Sequence, residues 1–233
     1  MEIAGRVVIV TGASSGIGAA TARLAHQRRA HVVMAARRAD RLDEMAAELP
    51  GSMAAVTDVT RQDDRARLVE RTLHAFGRID VLVNNAGQGL HVPVEQVDAD
   101  AFREVFELNV LAPLALMQAV LPAMRRQGGG AIVNVSSGTS LMTLPGVGAY
   151  SATKTALNQL SKTARAEMAA DGIVVSLVYP SVTATEFHEV LAQGARPDRR
   201  LPFEPQAPED VAEAILRVVE TGEEEIRLAH RSN

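Results

Sequence analysis

Seven short apolar runs recur along the chain, and several of the segments between them carry apolar residues at helical spacing. The runs cover residues 7–10, 31–35, 53–56, 81–83, 132–135, 174–178 and 225–228. Most are continuous in aliphatic residues rather than alternating with polar ones, which is typical of strands buried on both faces. The stretches 39–49 and 62–76 place apolar residues three and four positions apart, as amphipathic helices do. The alternation predicts an α/β fold, with helices on both faces of a parallel sheet of about seven strands.

Length and composition set limits on what such a fold does. The 233 residues suit one domain, 1–233, and 47% hydrophobic with 22% charged residues is a globular composition. A net charge of −4 gives no reason to expect nucleic acid or an anionic membrane as a partner. The absence of Cys from the sequence excludes disulfides and Cys-ligated metal sites and suits a cytoplasmic protein. We expect no metal site, no membrane span and no signal peptide.

Two segments depart from the regular alternation. Residues 101–126 have a helical pattern but contain Pro113 and Pro122, so we expect a break or kink there. Residues 193–208 are rich in proline and arginine and form the only long irregular stretch. A loop of this length is either a surface excursion or functional. We expect a substrate loop over about 186–208.

A glycine-rich segment follows the first strand and leads into the first helix. It contains Gly12, Gly16 and Gly18, with Ser14, Ser15 and Ile17 between them. Glycines let the backbone turn sharply and approach a pyrophosphate, whose charge is favoured by free amides at a helix N-terminus. The spacing is not G-x-G-x-x-G, and a tight strand-to-helix connection is the alternative. Its place at the first junction of an alternating chain favours a nucleotide.

Two arginines, Arg37 and Arg38, stand at the end of the second strand. An NAD-preferring site carries an acidic residue there for the adenosine ribose, whereas a guanidinium suits a 2′-phosphate. This predicts NADP(H) in preference to NAD(H). The alternative is a solvated helix cap that pairs with Asp40 or Asp43.

Three polar residues form a candidate catalytic group. Tyr150 and Lys154 lie four residues apart at the start of a predicted helix, and Ser137 follows an apolar strand. Positions i and i+4 share a helix face, so the ammonium can approach the phenol and lower its pKa. The Ser hydroxyl would then hydrogen-bond a substrate carbonyl. A tyrosine packed beside a solvated lysine is the alternative.

Taken together, the glycine loop, the tetrapeptide 84–87 (Asn-Asn-Ala-Gly) and the group Ser137, Tyr150 and Lys154 resemble the short-chain dehydrogenase/reductase family. The resemblance covers nearly the full length. It implies a doubly wound, three-layer Rossmann-type fold, with the glycine loop around a cofactor pyrophosphate and Ser14 and Ser15 near the phosphates. It also implies that Tyr150 and Lys154 contact the cofactor.

The same resemblance implies further cofactor contacts. These are Asp58 and Val59 at the adenine, Asn85, Ala86 and Gly87 at the riboses, and Pro180, Ser181, Thr183 and Thr185 at the nicotinamide carboxamide. The tetrapeptide can instead hold neighbouring strands. Ser181 stands where the family usually has Gly, and Thr183 where it has an aliphatic residue, so this turn is expected to differ in detail.

Asn109 matches a fourth catalytic position, which holds a water next to Lys154. The alternative is that its amide bonds a neighbouring backbone group, since a buried unpaired amide costs about 1–3 kcal/mol.

The function implied is hydride transfer between NADP(H) and a carbonyl or secondary alcohol, with Tyr150 as general acid and base, Lys154 lowering its pKa and Ser137 orienting the carbonyl. Residues expected at the substrate, in 89–91, 141–142 and 187–203, are mostly apolar and favour a hydrophobic substrate. His91 either reaches the pocket or lies on a surface loop.

Several alternatives stay open. They are an NADP(H)-binding sensor or scaffold without turnover, an NAD-preferring alcohol dehydrogenase and a sugar-nucleotide epimerase or dehydratase. The last usually needs a larger C-terminal domain. The resemblance also implies a homodimer or homotetramer built through the helices near Asn109 and Tyr150, while the end of the chain, 227–233, is short for the family.

Overall fold

The structure is a computed structural model that describes residues 1–189, 191–194 and 204–228. Its strands are β1 (Val7–Thr11), β2 (His31–Ala36), β3 (Met53–Val56), β4 (Val81–Asn84), β5 (Leu90–His91), β6 (Gly130–Val135), β7 (Ile173–Tyr179), β8 (Gln193–Gly194) and β9 (Glu225–Arg227). Seven of them form one sheet in the order β3-β2-β1-β4-β6-β7-β9, and every pairing is parallel. The predicted seven-stranded parallel sheet is confirmed.

Helices cover both faces of this sheet. They are α1 (Gly16–Gln27), α2 (Ala39–Glu48), α3 (Gln62–Phe76), α4 (Ala99–Phe106), α5 (Ala112–Arg126), α6 (Gly148–Met168) and α7 (Pro208–Thr221). Buried residues of α1, α2 and α7 pack with Val8 and Val10 of β1 in one core. Buried residues of α3, α5 and α6 pack with Val7 and Ile9 in the other. Side chains of a strand point alternately to the two faces, so continuous aliphatic runs fill two cores at once and give the doubly wound Rossmann-type fold.

The helical segment that contains Pro113 and Pro122 is irregular before its prolines, and not at them as expected. A π-helical turn over Glu107–Leu111 joins α4 to α5, and the amide of Ala112 donates to the carbonyl of Glu107. Pro113 closely follows this π turn, in the first turn of α5, and Pro122 lies inside the helix. The irregular turn therefore precedes both prolines. It carries Asn109, and π turns are frequent at functional sites.

The stretch Ala99–Arg126 is also, among the described residues, long and apolar enough to cross a membrane. Its side chains Leu116, Met117 and Val120 are nevertheless buried in the core beneath the sheet. Core helices of soluble proteins meet the same length and composition criteria.

The predicted loop over 186–208 is more structured than expected. Gln193–Gly194 forms β8 and pairs in parallel with β5 in a separate two-stranded sheet. Such short strands carry no usable sequence pattern. Residues 190 and 195–203 of this loop, and 229–233 of the chain end, lie outside the described residues.

The order of the strands reverses next to β1. The chain runs outward from β1 through β2 and β3, then returns to β4 on the other side of β1. In open parallel sheets such a reversal opens a crevice beyond the carboxyl ends of the strands, where ligands bind.

Candidate active site

A cleft of about 1480 Å³ lies beyond the carboxyl ends of the strands. The predicted cofactor and catalytic residues line it, with two exceptions, Gly18 and Asn109. The glycine loop and the arginines lie in it together with the residues of the candidate catalytic group. The fold therefore brings together residues as far apart in sequence as Gly12 and Thr185, which are 173 positions apart.

The glycine loop needs residues without side chains. Gly12 and Gly16 have positive φ values of 65° and 52°, a conformation that L-residues with a Cβ rarely adopt. A Cβ on Gly18 would lie 2.2 Å from the carbonyl oxygen of Gly12, so only glycine lets α1 start this close to the loop.

The N-terminus of α1 faces the cleft with free amides. Ser15 is the N-cap residue, but among the described residues its side chain makes no capping hydrogen bond. There is also no acidic side chain in the first turn. Unsatisfied amides and the helix dipole favour an anion at this position, which fits a pyrophosphate.

Thr11, to which the sequence analysis assigned no role, ties the glycine loop to the end of β4, the neighbouring strand in the sheet. Its hydroxyl donates to the carbonyl of Val83 over 3.2 Å and accepts from the amides of Asn85 and Ala86 over 3.0 and 3.1 Å. The Asn85 side chain donates to the carbonyl of Thr11 over 2.9 Å. The position of Thr11 at the end of β1, directly before Gly12, is the signal in the sequence that could have identified it.

Asn84 plays the strand-holding role that was the alternative for the tetrapeptide. Its amide donates to Asn134 of β6 over 2.8 Å, and Asn134 donates to Ser161 of α6 over 2.8 Å. The tetrapeptide thus divides its work, with Asn84 holding strands and Asn85 and Ala86 holding the glycine loop.

Arg38 lies directly against the glycine loop. Its guanidinium donates to Ser14 from Nε and Nη2, to Ser15 from Nη2 over 2.7 Å, and to Glu186 from Nη1 over 3.0 Å. Arg38 is the N-cap residue of α2, as the helix-cap alternative has it, but among the residues that the structure describes its side chain makes no capping hydrogen bond. Within the described residues its ion pair is with Glu186 and not with Asp40 or Asp43. Arg37 also lines the cleft.

Asp58 and Val59 follow β3 at the same end of the cleft. The Asp58 carboxylate accepts from the amide and the hydroxyl of Thr60 over 3.0 and 2.7 Å. Burial acts to raise the pKa of Asp58, but these hydrogen bonds and the nearby charges of Arg37 and Arg61 hold it below its usual value. A negative acceptor is therefore present beside the cleft at neutral pH.

Tyr150 and Lys154 lie on one face of α6 and are 6% and 4% exposed. The Lys154 Nζ lies 5.9 Å from the centre of the Tyr150 ring and donates to the carbonyl of Val135 over 2.9 Å. Lys154 is thus not a solvated surface lysine. The carbonyl of β6 orients its ammonium in the cleft.

The expected lowering of the Tyr150 pKa is not what this structure shows. Burial raises it to about 12, and a hydrogen bond with Ser137 opposes the rise. Burial also lowers the pKa of Lys154 to about 8. The ammonium of Lys154 therefore lies near the phenol but does not lower its pKa enough to offset the effect of burial, because both side chains are buried. Tyr150 is a neutral phenol at neutral pH.

Ser137 lies at the start of a short 3₁₀ turn, Gly138–Leu141, and accepts from the amide and hydroxyl of Thr139. A chain of hydrogen bonds ties this turn to α6. The Ser140 hydroxyl donates to the carbonyl of Ser137 over 2.6 Å and accepts from the side chain of Asn158 over 3.0 Å. Asn158 is one turn beyond Lys154, so the same helix positions all three members of the candidate catalytic group.

Asn109 makes the backbone hydrogen bonds that were its alternative role. Its Oδ1 accepts from the amide of Gln88, and its Nδ2 donates to the carbonyl of Gln88, both over 2.9 Å. A Cβ on Gly87 would lie 3.0 Å from Asn109 Oδ1 and 3.4 Å from Lys154 Nζ. Asn109 therefore anchors the backbone at Gln88, next to Gly87, and both Asn109 and Lys154 border the space that the missing Cβ of Gly87 leaves.

The turn after β7 carries Pro180, Ser181, Thr183 and Thr185. The Thr183 hydroxyl donates to the carbonyl of Ser181 over 3.0 Å. Gln206, a residue that the sequence analysis missed, accepts from the amide of Ser181 through Oε1. The backbone amide of Gln206 donates to the carbonyl of Val182, and the backbone carbonyl of Gln206 accepts from the amide of Ala184. No local sequence signal marks Gln206.

Two aromatic rings, those of His91 and Phe187, contact Tyr150 at the end of the cleft away from the glycine loop. The centres of the His91 and Phe187 rings lie 5.9 and 5.7 Å from that of Tyr150, so His91 does reach the pocket. Leu141 and Met142 also line the cleft and are 43% and 52% exposed. Leu90, expected at the substrate, is fully buried instead.

No group of three or more His, Asp or Glu residues suited to a metal ion occurs in the described part of the chain. The polar atoms of the cleft instead suit phosphates, ribose hydroxyls and a carbonyl oxygen.

Comparisons with known proteins agree with this geometry. A family model described as short chain dehydrogenase matches residues 6–195. An uncharacterized oxidoreductase of Listeria innocua is 36% identical over 197 residues, which cover 82% of this chain and 79% of the relative.

Solved structures are similar over nearly the whole chain. A short-chain dehydrogenase from Streptomyces avermitilis has a TM-score of 0.86 at 35% identity, covering 97% of this chain and 88% of that one. A 3-ketoacyl-(acyl-carrier-protein) reductase from Brucella melitensis, complexed with NADH, has a TM-score of 0.89 at 26% identity and 97% coverage of both chains.

Proposed function

The chain belongs to the short-chain dehydrogenase family, and from this premise we propose that it transfers a hydride between NADP(H) and a carbonyl or secondary alcohol group. The observation that carries the proposal is the burial of Tyr150 and Lys154 beside Ser137, in a cleft whose other end is a glycine loop. The bound nicotinamide would supply or accept the hydride.

The residues of the cleft fit such a cofactor. The free amides of α1 would bind the pyrophosphate, because glycine gives it close access to the backbone at Gly12 and Gly16. Asp58 would accept a hydrogen bond from the adenine, and Lys154 would donate to ribose hydroxyls. The turn held by Gln206 would bind the carboxamide.

Tyr150 would move the proton. Its raised pKa keeps the phenol protonated at neutral pH, which suits a general acid that donates to a carbonyl oxygen during reduction. In the oxidation direction it would take the proton back, and the ammonium of Lys154 would favour the phenolate at that moment. Ser137 would donate to the same oxygen and stabilise the charge that develops on it.

The preference for NADP(H) rests on Arg38 and Arg37. A guanidinium that already contacts Ser14 and Ser15 lies beside the loop where the cofactor phosphates would bind, and it suits a 2′-phosphate through charge-assisted hydrogen bonds. The Brucella reductase was crystallised with NADH, so an NAD-preferring enzyme is the natural alternative. Measurement of kcat/KM for both cofactors decides between them, and a preference for NADH would reject this part of the proposal.

The substrate end of the cleft favours a hydrophobic carbonyl compound. Phe187, Leu141 and Met142 offer apolar surface next to Tyr150. A screen of NADPH oxidation against ketones and aldehydes of increasing apolar size is the direct test. Cofactor binding without turnover of any compound would instead support a redox sensor.

We also propose a homodimer or homotetramer built through the helices near Asn109 and Tyr150. Light scattering coupled to gel filtration tests it, and a monomer at all concentrations would reject it.

A further inference from the structure

Arg38 already has a carboxylate partner from a distant segment. Its Nη1 donates to Glu186 Oε2 over 3.0 Å, across 148 positions of sequence. The hydrogen bond and the charge of Arg38, with a contribution from Arg41, lower the pKa of Glu186, which is therefore ionised at neutral pH. Glu186 also has a hydrogen bond with Ser15 of the glycine loop.

The backbone on both sides of Glu186 is held in place. Thr185 packs on the glycine loop so closely that a Cβ on Gly16 would lie 2.9 Å from its Cγ2. Phe187 packs on the Tyr150 ring with the ring centres 5.7 Å apart. The carboxylate is thus presented to Arg38 by a segment that contacts both ends of the cleft.

We propose that Glu186 is a specificity-determining residue that opposes a 2′-phosphate at Arg38 and so limits how far the protein discriminates NADP(H) from NAD(H). This rests on the proposed function, which assigns Arg38 to that phosphate. Nothing in the family resemblance or in the sequence pattern marks Glu186 for this role.

The physical reason is competition for one guanidinium. A 2′-phosphate carries a charge between −1 and −2 near neutral pH and would accept from the same N–H groups that now face Ser14, Ser15 and Glu186. If it shares Arg38 with Glu186, hydrogen-bond lengths on either side of one guanidinium would place the two anions about 5–6 Å apart. Both Arg38 and Glu186 are about two-fifths exposed, so solvent and salt weaken the repulsion. We therefore expect a penalty of about three- to tenfold in affinity.

The test compares two small probes that differ only in the 2′-phosphate, adenosine 2′,5′-bisphosphate and 5′-AMP. Their dissociation constants are measured by calorimetry for the wild type, Glu186→Gln and Glu48→Gln. Glutamine keeps the size and hydrogen-bonding capacity of Glu186 and removes the charge. Glu48 is a matched control, because it also pairs with an arginine, Arg23, on the surface and does not line the cleft.

The E186Q variant should raise the preference for the bisphosphate over 5′-AMP about three- to tenfold, and E48Q should change it less than about twofold. The ratio removes any general weakening caused by loss of the Arg38 contact. An unchanged or lower ratio in E186Q, or an equal rise in E48Q, would overturn the inference.

The result also separates this inference from the proposed function. If the wild type prefers the bisphosphate and E186Q leaves the ratio unchanged, the inference fails while the NADP(H) preference stands. If the wild type shows no preference and E186Q acquires one, the inference stands and the proposed NADP(H) preference fails.

Discussion

The hydroxyl of Thr11 should contribute more to the free energy of unfolding than the hydroxyl of another buried threonine, Thr72. Thr11 is 1% exposed, and its hydroxyl makes three hydrogen bonds, accepting from two amides and donating to the Val83 carbonyl. Thr72 is fully buried too, but its hydroxyl only donates to the carbonyl of Leu68 within α3. Valine preserves the shape of both side chains, so Thr11→Val and Thr72→Val isolate the hydroxyl.

The expected magnitude follows from the donors left behind. Thr11→Val leaves the amides of Asn85 and Ala86 without an acceptor in a partly buried site. At about 1–3 kcal/mol for each buried unsatisfied group, we expect the free energy of unfolding to fall by roughly 2–4 kcal/mol. In Thr72→Val no donor loses its partner, and the change should stay below about 1 kcal/mol.

Urea unfolding followed by circular dichroism measures both values. Because Asn85 and Ala86 line the cofactor cleft, Thr11→Val should also weaken NADPH binding, whereas Thr72→Val should not. The reasoning is refuted if the two variants lose the same stability, since the number of amides served by the hydroxyl would then be irrelevant.

Two further predictions concern Lys154 and Gln206. Burial lowers the pKa of Lys154 from 10.5 to about 8, so between these values the unfolded chain binds more protons than the folded one. The free energy of unfolding should therefore rise from pH 8 to about 10.5, by at most roughly 3 kcal/mol. Urea unfolding across this range should show the rise in the wild type and not in Lys154→Met, and equal slopes would contradict it. Gln206→Leu removes the acceptor of the Ser181 amide and should raise the KM for NADPH about fivefold, whereas Gln193→Leu, whose side chain bonds Gln96 and Asp98 instead, should leave it unchanged.

The sheet and the glycine loop could be predicted because their requirements are local. A strand buried on both faces must be continuously apolar, and a loop that turns at Gly12 and Gly16 with positive φ must lack side chains there. Each requirement leaves a mark within a few residues of sequence. The order of these marks along the chain was enough for a parallel sheet with helices on both faces, whereas the doubly wound topology followed from the resemblance to the short-chain dehydrogenase/reductase family.

The contacts that the sequence did not predict join distant segments. Glu186 meets Arg38 through a turn fixed by tertiary packing, and Gln206 meets Ser181 from just before α7. The pKa of Tyr150 depends on its burial, to which His91 and Phe187 contribute. A spacing of four residues predicts that Lys154 lies near the phenol, but it carries no information on burial.

The central claim is that Tyr150 passes the proton to the substrate oxygen, and Tyr150→Phe tests it most directly. Phenylalanine keeps the ring that contacts His91 and Phe187 and removes the hydroxyl group, which carries the transferable proton and the hydrogen bond with Ser137. With a ketone that the wild type reduces, kcat should fall about 10²–10⁴-fold, while the dissociation constant for NADPH stays within about threefold. Wild-type turnover in Tyr150→Phe would contradict the account.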